Sequence, residues 1–249
     1  MRALLLLLLS LVSLAFAQGP AQATPPKTAR ENAPIDLTGY WTSIVTQDWL
    51  YRMRTPPKGD YAAVPLNKAG PQIADAWDPT KDEAGGLQCK SYGAAGLMRI
   101  PQKLHITWAD DSTLRIDTEA GSQTRLLHFG AAANLSSEPT WQGDSVAEWD
   151  ILRQRRPAHP EQSAPAGGLK VVTTHMRPGY LRRNGVPYSD KAVMTEHFDV
   201  ATEPNGWRFI LLTTEIDDPE YLTSMFLLNT PFRLLPDGTG WSPGPCTSR

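Results

Sequence analysis

Three ionisable side chains, His175, Glu196 and Glu215, have the types and the spacing that acid–base chemistry requires. They lie in three runs of residues with β-like alternation, and the pairs Asn184-Gly185 and Asn205-Gly206 separate these runs. Asn-Gly is typical of a two-residue β-hairpin turn, so the runs are predicted to be neighbouring antiparallel strands. The three side chains are therefore expected to meet.

The turn positions also predict which residues face each other. A turn at Asn184-Gly185 places Thr173 opposite Glu196 and His175 opposite Met194, and a turn at Asn205-Gly206 places Glu196 opposite Glu215. The face that carries the ionisable groups also carries five apolar residues: Leu169, Val171, Phe198, Phe209 and Leu211. Because this is the more apolar face, it is expected to line the interior of the fold.

An apolar floor with a few polar groups at one end is typical of a small-molecule cavity. We expect the ligand to be a small, largely apolar molecule with one polar group. Two facing carboxylates need a cation in a low-dielectric site, and His175 or Arg177 is the expected cation. The residues predicted to contact the ligand are Thr173, Arg177, Tyr180, Phe198 and Phe209.

Three interpretations of the ionisable cluster remain open. The first is a catalytic site in a lyase or isomerase, with Glu196 or His175 as the base. The second is a divalent-metal site of one histidine and two carboxylates, although the spacing matches no standard metal motif. The third is an ion-pair network in a structural protein whose barrel is filled by side chains. Nucleophilic-serine, zinc-protease, redox-thiol and nucleotide-binding motifs are absent from the sequence, and no motif implies a cofactor.

The elements that would position these residues are mostly strands. From Lys103 onward, short β-like runs alternate with turn signals, and the run at residues 37–46 brings the total to about nine strands. This pattern predicts an all-β, antiparallel up-and-down barrel. Residues 55–86 are rich in Pro, Gly and Asp and predict a long irregular insertion with one weak helical stretch around residues 69–77.

The opening strand, Asp36-Leu37-Thr38-Gly39-Tyr40-Trp41, resembles the Gly-x-Trp signature of lipocalins and related calycin barrels. The resemblance implies that Trp41 closes one end of a barrel and that an arginine from a late strand packs across it, for which Arg233 is the best match. Residues 39–43 and 179–188 are similar to a family of exported bacterial proteins. That similarity implies export and no particular chemistry.

Export is also predicted by the N-terminal segment. Arg2, the apolar stretch of residues 3–16 and the small-x-small site Ala15-Phe16-Ala17 predict a signal peptide over residues 1–17. The apolar stretch is shorter than the roughly 20 residues that a membrane-spanning helix needs, so no span is expected. Residues 18–34 are predicted to be a flexible leader and residues 35–249 a single domain. The expected location is the periplasm or the medium.

The two cysteines, Cys89 and Cys246, are expected to form a disulfide, because export would place them in an oxidising compartment. The formal net charge is −2, with both signs interspersed. This balance provides no basic face for nucleic acid, and nucleic acid is not an expected partner.

Two other polar–aromatic groups have both a binding and a structural interpretation. Tyr180 and Tyr188, beside Arg182 and Arg183, could bind an anion, but a solvated hairpin tip is the favoured interpretation. The group formed by Trp49, Tyr51 and Arg52 could stack on a ring or a sugar, but aromatic core packing is favoured.

Overall fold

The computed structural model describes residues 27–130, 137–151 and 167–248. Within these ranges nine strands close into a barrel, which confirms the predicted all-β barrel. In order around the barrel the strands are β1 (Gly39–Ser43), β11 (Phe226–Leu234), β10 (Arg208–Asp217), β9 (Val193–Thr202), β6 (Gly167–Thr174), β5 (Asp144–Ile151), β4 (Thr124–Phe129), β3 (Thr113–Thr118) and β2 (Lys103–Asp110).

The predicted signal peptide and residues 18–26 of the predicted leader lie outside the described residues. Residues 27–34 of the leader contact the barrel: the indole Nε1 of Trp149 donates to the carbonyl of Ala29 at 2.7 Å, and the amide of Arg30 donates to the carbonyl of Asp111 at 3.1 Å. This part of the leader therefore has fixed partners on β5 and in the turn between β2 and β3.

The barrel departs from a strictly antiparallel meander at one place. Strands β4 and β5 pair in parallel, with Leu127 opposite Ser145, whereas the other barrel pairs are antiparallel. Parallel neighbours need a crossover connection, and residues 137–143 are the last part of it that the structure describes before β5. On the way, the carbonyl of Trp141 accepts a hydrogen bond from the amide of Ala94 at 2.9 Å.

The remaining elements cover one end of the barrel. Strands β7 (Gly179–Arg182) and β8 (Val186–Tyr188) form a separate hairpin, and four short helices lie between β1 and β2: α1 (Trp49–Met53), α2 (Ala69–Asp75), α3 (Pro79–Ala84) and α4 (Ala94–Leu97). Helix α2 confirms the helical stretch predicted near residue 69. We call this hairpin and residues 44–102 the cap. No helix among the described residues is long and apolar enough to cross a membrane.

Two apolar cores hold these parts together. The barrel interior is filled by fully buried side chains that include Trp41, Leu104, Ile106, Leu127 and Phe232. The second core joins the cap to the strand ends and combines Val64 and Ala94 with Leu181, Met194 and Phe226. Barrels of this size are often filled by their own side chains, so the interior acts as a packed core.

The register between β6 and β9 differs from the prediction by two residues. Val171, not Thr173, lies opposite Glu196, and Thr173 lies opposite Met194. The Asn184-Gly185 turn belongs to the cap hairpin and does not join the two barrel strands directly. Since the shift is even, Thr173, Glu196 and Phe198 keep the predicted inward orientation, and all three are buried.

The register between β9 and β10 differs by one residue, and this changes the face. Thr214 lies opposite Glu196, while Glu215 lies opposite Thr195. The loop has three residues, because the amide of Gly206 donates to the carbonyl of Glu203 at 2.9 Å and Gly206 adopts φ +84°. This is the geometry of a type I turn followed by a left-handed residue, not of a two-residue turn. The prediction that Phe209, Leu211 and Glu215 face the interior is therefore wrong, and Ile210, Leu212 and Ile216 lie there.

Candidate functional site

Glu196 lies inside the barrel, but its partner is Arg125 of β4 and neither His175 nor Arg177. The Nη1 and Nη2 atoms of Arg125 donate to Oε1 and Oε2 of Glu196 at 2.9 and 2.5 Å, and both side chains are 0% exposed. Thr173 completes the group, since its Oγ1 lies 3.4 Å from Nη2 of Arg125 and 2.7 Å from Oγ of Ser145. Both carboxylate oxygens are therefore used in a two-pronged ion pair.

His175 lies outside this group. It follows the end of β6 in a left-handed conformation with φ 56°, and its half-exposed ring lies 2.9 Å from Oδ2 of Asp144. Glu215 lies on the outer face of β10, opposite Thr195. The expected convergence of His175, Glu196 and Glu215 in one cavity is thus wrong, and their catalytic roles stay predictions.

The other predicted ligand-contact residues are also dispersed. Phe198 packs in the barrel core, while Phe209 lies on the outer face near Trp207, with ring centroids 6.4 Å apart. Arg177 is exposed and stacks on Trp141, with its guanidinium carbon 4.2 Å from the ring centre. Phe209 and Arg177 therefore do not lie with Thr173 and Glu196 in the barrel interior.

Tyr180 belongs to the cap. Its hydroxyl donates to Oδ2 of Asp82 at 2.7 Å, and Nζ of Lys90 donates to Oδ1 of the same carboxylate at 2.8 Å. Burial and the Asp82 carboxylate raise the pKa of the Tyr180 phenol. Next to Lys90, Cys89 forms the predicted disulfide with Cys246, with Cα atoms 5.1 Å apart.

Trp41 is fully buried in the barrel core, and its Nε1 donates to the carbonyl of Leu37 at 2.9 Å. Its arginine neighbour is Arg208, whose guanidinium carbon lies 5.9 Å from the ring centre. Arg233, the expected partner of Trp41, lies over Trp207 instead, at 5.2 Å. The prediction that Arg233 packs across Trp41 is therefore wrong, because Arg233 on β11 pairs with Thr42, one residue beyond Trp41.

A cluster of buried arginines lies in the cap. Arg52 of α1, Arg99 just after α4 and Arg182 at the end of β7 line a small pocket with room for about one water molecule, together with Tyr51 and Arg183. We call it the arginine pocket. Its main arginines come from three separate elements of the cap, so only the folded cap brings them together.

Helix α1 buries its charged residue and exposes its apolar ones, which is the reverse of the usual arrangement in a surface helix. Arg52 is buried, whereas Trp49, Leu50 and Met53 are exposed. The Nε of Arg52 donates to the carbonyl of Arg99 at 2.8 Å, and Nη2 of Arg99 donates to Oδ2 of Asp48 at 3.1 Å. These two hydrogen bonds with Arg99 thus hold α1 in place.

Arg182 is buried because residues 57–77 of the cap cover the tip of its hairpin. The side-chain amide of Asn184 donates to the carbonyls of Pro57 and Asp60 at 3.1 and 2.9 Å. Gly185, with φ +84°, lies so close to Trp77 that an added Cβ would be 2.2 Å from the Cβ of Trp77. The interpretation of this turn as a solvated tip is therefore wrong.

The Arg182 guanidinium has an unusual environment for a buried charge. Arg182 is 4% exposed, and its three guanidinium nitrogens have no hydrogen-bond partner among the described residues. The group lies over the ring of Tyr51, 4.5 Å from its centre. Burial and the Arg99 charge lower the pKa of Arg182, and the same two causes lower the pKa of Arg52. The pocket therefore crowds positive charges that a negatively charged group would stabilise.

The arginines of the pocket outnumber the nearby carboxylates. Arg183 adds a fourth guanidinium, while Asp48 and Asp60 are the carboxylates that act on Arg182. Of these two, Asp48 is already paired with Arg99. Guanidinium groups bind phosphate and carboxylate groups through paired N–H donors, so the pocket has the chemistry of an anion site.

Sequence reasoning missed Arg99 and Arg125. Arg125 and Leu127 share one face of their strand, which indicates an inward position for Arg125. The other face carries the apolar Leu126, however, so the alternation does not show which face is buried. Arg99 stands next to the apolar run 94–98, in a segment without strand or helix periodicity. Only its tertiary neighbours distinguish it.

Comparisons with known proteins leave the lipocalin resemblance without a test. Neither models of known families, nor curated proteins, nor solved structures gave a match to this chain. The resemblance of residues 36–41 to calycin barrels thus stays a prediction.

Proposed function

We propose that this chain is an exported small-molecule-binding protein whose ligand carries a phosphate-type anionic group held in the arginine pocket. The observation that carries the proposal is the Arg182 guanidinium, which is buried with its three nitrogens unpartnered by the described residues. A buried charge without a partner costs several kcal/mol, in order of magnitude, so such a group is retained where a ligand neutralises it.

A phosphate monoester fits the charge of the pocket. It carries about two negative charges at pH 7 and has several strong acceptor oxygens. Arg52, Arg99 and Arg182 present guanidinium groups to the pocket, and the Tyr51 ring lies against the Arg182 guanidinium. In this proposal these side chains move apart to admit the phosphate. The low dielectric around these buried groups strengthens each charge-assisted hydrogen bond.

The barrel supports the pocket as a scaffold in this proposal. The cap has more space for the largely apolar ligand that the sequence predicts than the barrel interior, which is filled by side chains such as Thr173, Glu196 and Phe198. An acid–base enzyme is favoured less, because Arg125 already occupies both oxygens of the Glu196 carboxylate. Kinship with calycin barrels remains part of the proposal, based on Trp41 and its strand.

Replacement of Arg182 by Met tests the proposal. In thermal unfolding, methyl phosphate at about 100 times its dissociation constant should stabilise the natural protein by about 2.7 kcal/mol. R182M should lose at least about tenfold in affinity, since a hydrogen bond to a charged group contributes about 1.5 to 3 kcal/mol. Without phosphate, R182M should be as stable as the natural protein or more stable, because it removes an unpartnered buried charge.

The matched control is Arg115→Met, which removes the same charge from an exposed pair with Asp117 on β3. It should leave methyl phosphate binding unchanged. If the natural protein does not bind methyl phosphate, or if R182M binds it with unchanged affinity, the proposed site is wrong.

Export is the second part of the proposal. It is supported by the tripartite segment of residues 1–17 and by a disulfide that persists in oxidising compartments. The intact mass of the protein recovered from the periplasm or the medium should match a chain that begins at Gln18. Recovery from the cytoplasm with residues 1–17 attached would contradict this location.

A further inference from the structure

A second hollow lies beside the arginine pocket. It has a free volume of about 250 Å³ and is lined by Leu50, Tyr51, Arg54, Thr55, Pro56, Pro57 and Asp60. Tyr51 belongs to the walls of both spaces, so the two lie next to each other. We call the second space the proline hollow.

The walls of the proline hollow combine apolar side chains with the polar Arg54, Thr55 and Asp60, and hydrogen bonds hold part of them in place. The Asn184 side chain binds the carbonyls of Pro57 and Asp60, which ties this loop to the buried tip of the β7–β8 hairpin. The two prolines restrict the backbone further, since their rings lock φ. A preformed wall loses little conformational entropy on binding, which favours affinity.

The helix that forms one side of the hollow leaves apolar surface in contact with water. Trp49, Leu50 and Met53 of α1 are 61%, 46% and 57% exposed. Helix α1 buries its arginine towards the arginine pocket and turns these apolar side chains outward. Adjacent apolar surface of this kind often marks a binding site.

We infer that the ligand of this protein is an amphiphilic phosphate, a phosphate monoester whose apolar portion lies in the proline hollow. The inference rests on the proposed function, since it places the phosphate on Arg52, Arg99 and Arg182. Because Tyr51 borders both spaces, the inferred ligand has its phosphate on one side of this side chain and its apolar portion on the other. The occupant of the hollow is then the alkyl or ring part of the same molecule, and its burial supplies affinity in addition to that of the phosphate.

The test compares methyl phosphate with monomeric octyl phosphate on the full mature chain by isothermal titration calorimetry. Octyl phosphate should bind at least about tenfold more tightly, because burial of only two methylene groups already corresponds to such a factor. Leu50→Gln should remove most of this gain and leave methyl phosphate binding unchanged. Leu50 is half exposed, so the substitution leaves the cores untouched.

The matched control is Leu211→Gln, since Leu211 is exposed to a similar degree, 47%, on the outer face of β10. It should leave the affinities for both phosphates unchanged. Arg182→Met should weaken the binding of both phosphates, because it removes the shared headgroup contact.

The outcomes separate the inference from the proposed function. Equal affinities for the two phosphates would overturn the amphiphile while leaving the anion site intact, and absence of methyl phosphate binding would refute the anion site itself. Two further results would also overturn the inference, because they would assign the apolar face of α1 to another occupant. One is co-sedimentation with phosphatidic acid vesicles without any gain for octyl phosphate. The other is a concentration-dependent dimer that Leu50→Gln dissociates.

Discussion

Two buried arginines, Arg125 and Arg182, differ in whether the protein itself neutralises their charge. Arg125 lies in the barrel core and is bound by both oxygens of Glu196. Arg182 lies in the cap with its guanidinium nitrogens unpartnered by the described residues. In the first arrangement, Glu196 neutralises the Arg125 charge and leaves little capacity for a ligand. In the second, the Arg182 charge needs an anion to neutralise it.

Glu196→Gln should destabilise the protein, because it leaves the Arg125 charge buried without its counter-charge. Breaking a buried ion pair in this way costs about 3 to 5 kcal/mol, and urea unfolding followed by tryptophan fluorescence would measure the loss. Glu215→Gln, on the outer face of β10, should change the free energy of unfolding by at most about 0.5 kcal/mol.

Replacing the whole pair, as in Arg125→Met with Glu196→Leu, should restore much of the stability lost in Glu196→Gln. A Glu196→Gln protein with unchanged stability would contradict a structural role for the pair. The acid–base interpretation of Glu196 would then regain support.

At the scale of elements, turns decide which side chains share a face. The three-residue loop after β9 reverses the face of β10 relative to the two-residue turn that Asn205-Gly206 indicates. The Asn184-Gly185 turn is buried within the cap, and it connects β7 and β8, which lie outside the barrel. Each dipeptide does form a turn, but loop length and packing determine the strands that it joins.

Gly185 and Gly206 provide a matched pair for testing this packing, since both have φ +84°. Gly206 has nothing within 4 Å of an added Cβ, so Gly206→Ala should cost about 1 to 2 kcal/mol, the strain of a left-handed alanine. Gly185→Ala adds overlap with Trp77 and should cost about 1 to 3 kcal/mol more.

Chemical denaturation of the two variants measures this difference. Gly185→Ala should also weaken methyl phosphate binding, because the buried tip carries Arg182, while Gly206→Ala should not. Equal costs for the two substitutions would contradict the close contact between the hairpin tip and Trp77.

At the scale of the whole molecule, one covalent bond joins distant parts of the chain. The disulfide between Cys89 and Cys246 spans 157 positions and ties the C-terminal tail to the cap beside Asp82 and Tyr180. The cap in turn carries the arginine pocket. Loss of the bond is therefore expected to affect the stability of the whole chain more than the chemistry of the site.

Reduction of the disulfide, or the double replacement of Cys89 and Cys246 by Ser, should lower the free energy of unfolding by about 4 to 5 kcal/mol through the larger entropy of the unfolded chain. Thermal unfolding with and without dithiothreitol measures the effect, and the double variant should not respond to the reductant. Free thiols in the denatured, unreduced protein would contradict the bond.

Features that depend on local alternation and composition could be predicted from the amino-acid sequence. Period-two alternation predicted the barrel strands and the inward positions of Thr173, Glu196 and Phe198, because successive side chains of a strand point to opposite faces. An even number of cysteines, together with a predicted export signal, predicted the bond between Cys89 and Cys246.

Which of these residues contact each other depends on the folded chain and could not be predicted from local patterns. The partner of Glu196 comes from β4, which is 71 residues away in sequence, and the arginine pocket combines Arg52, Arg99 and Arg182 from separate elements of the cap. Local patterns report which face a side chain occupies, but contacts between distant segments depend on loop geometry and on how the cores pack. A one-residue difference in a single loop therefore moved Glu215 out of the predicted site, and burial under the cap turned the expected solvated tip into the wall of a pocket.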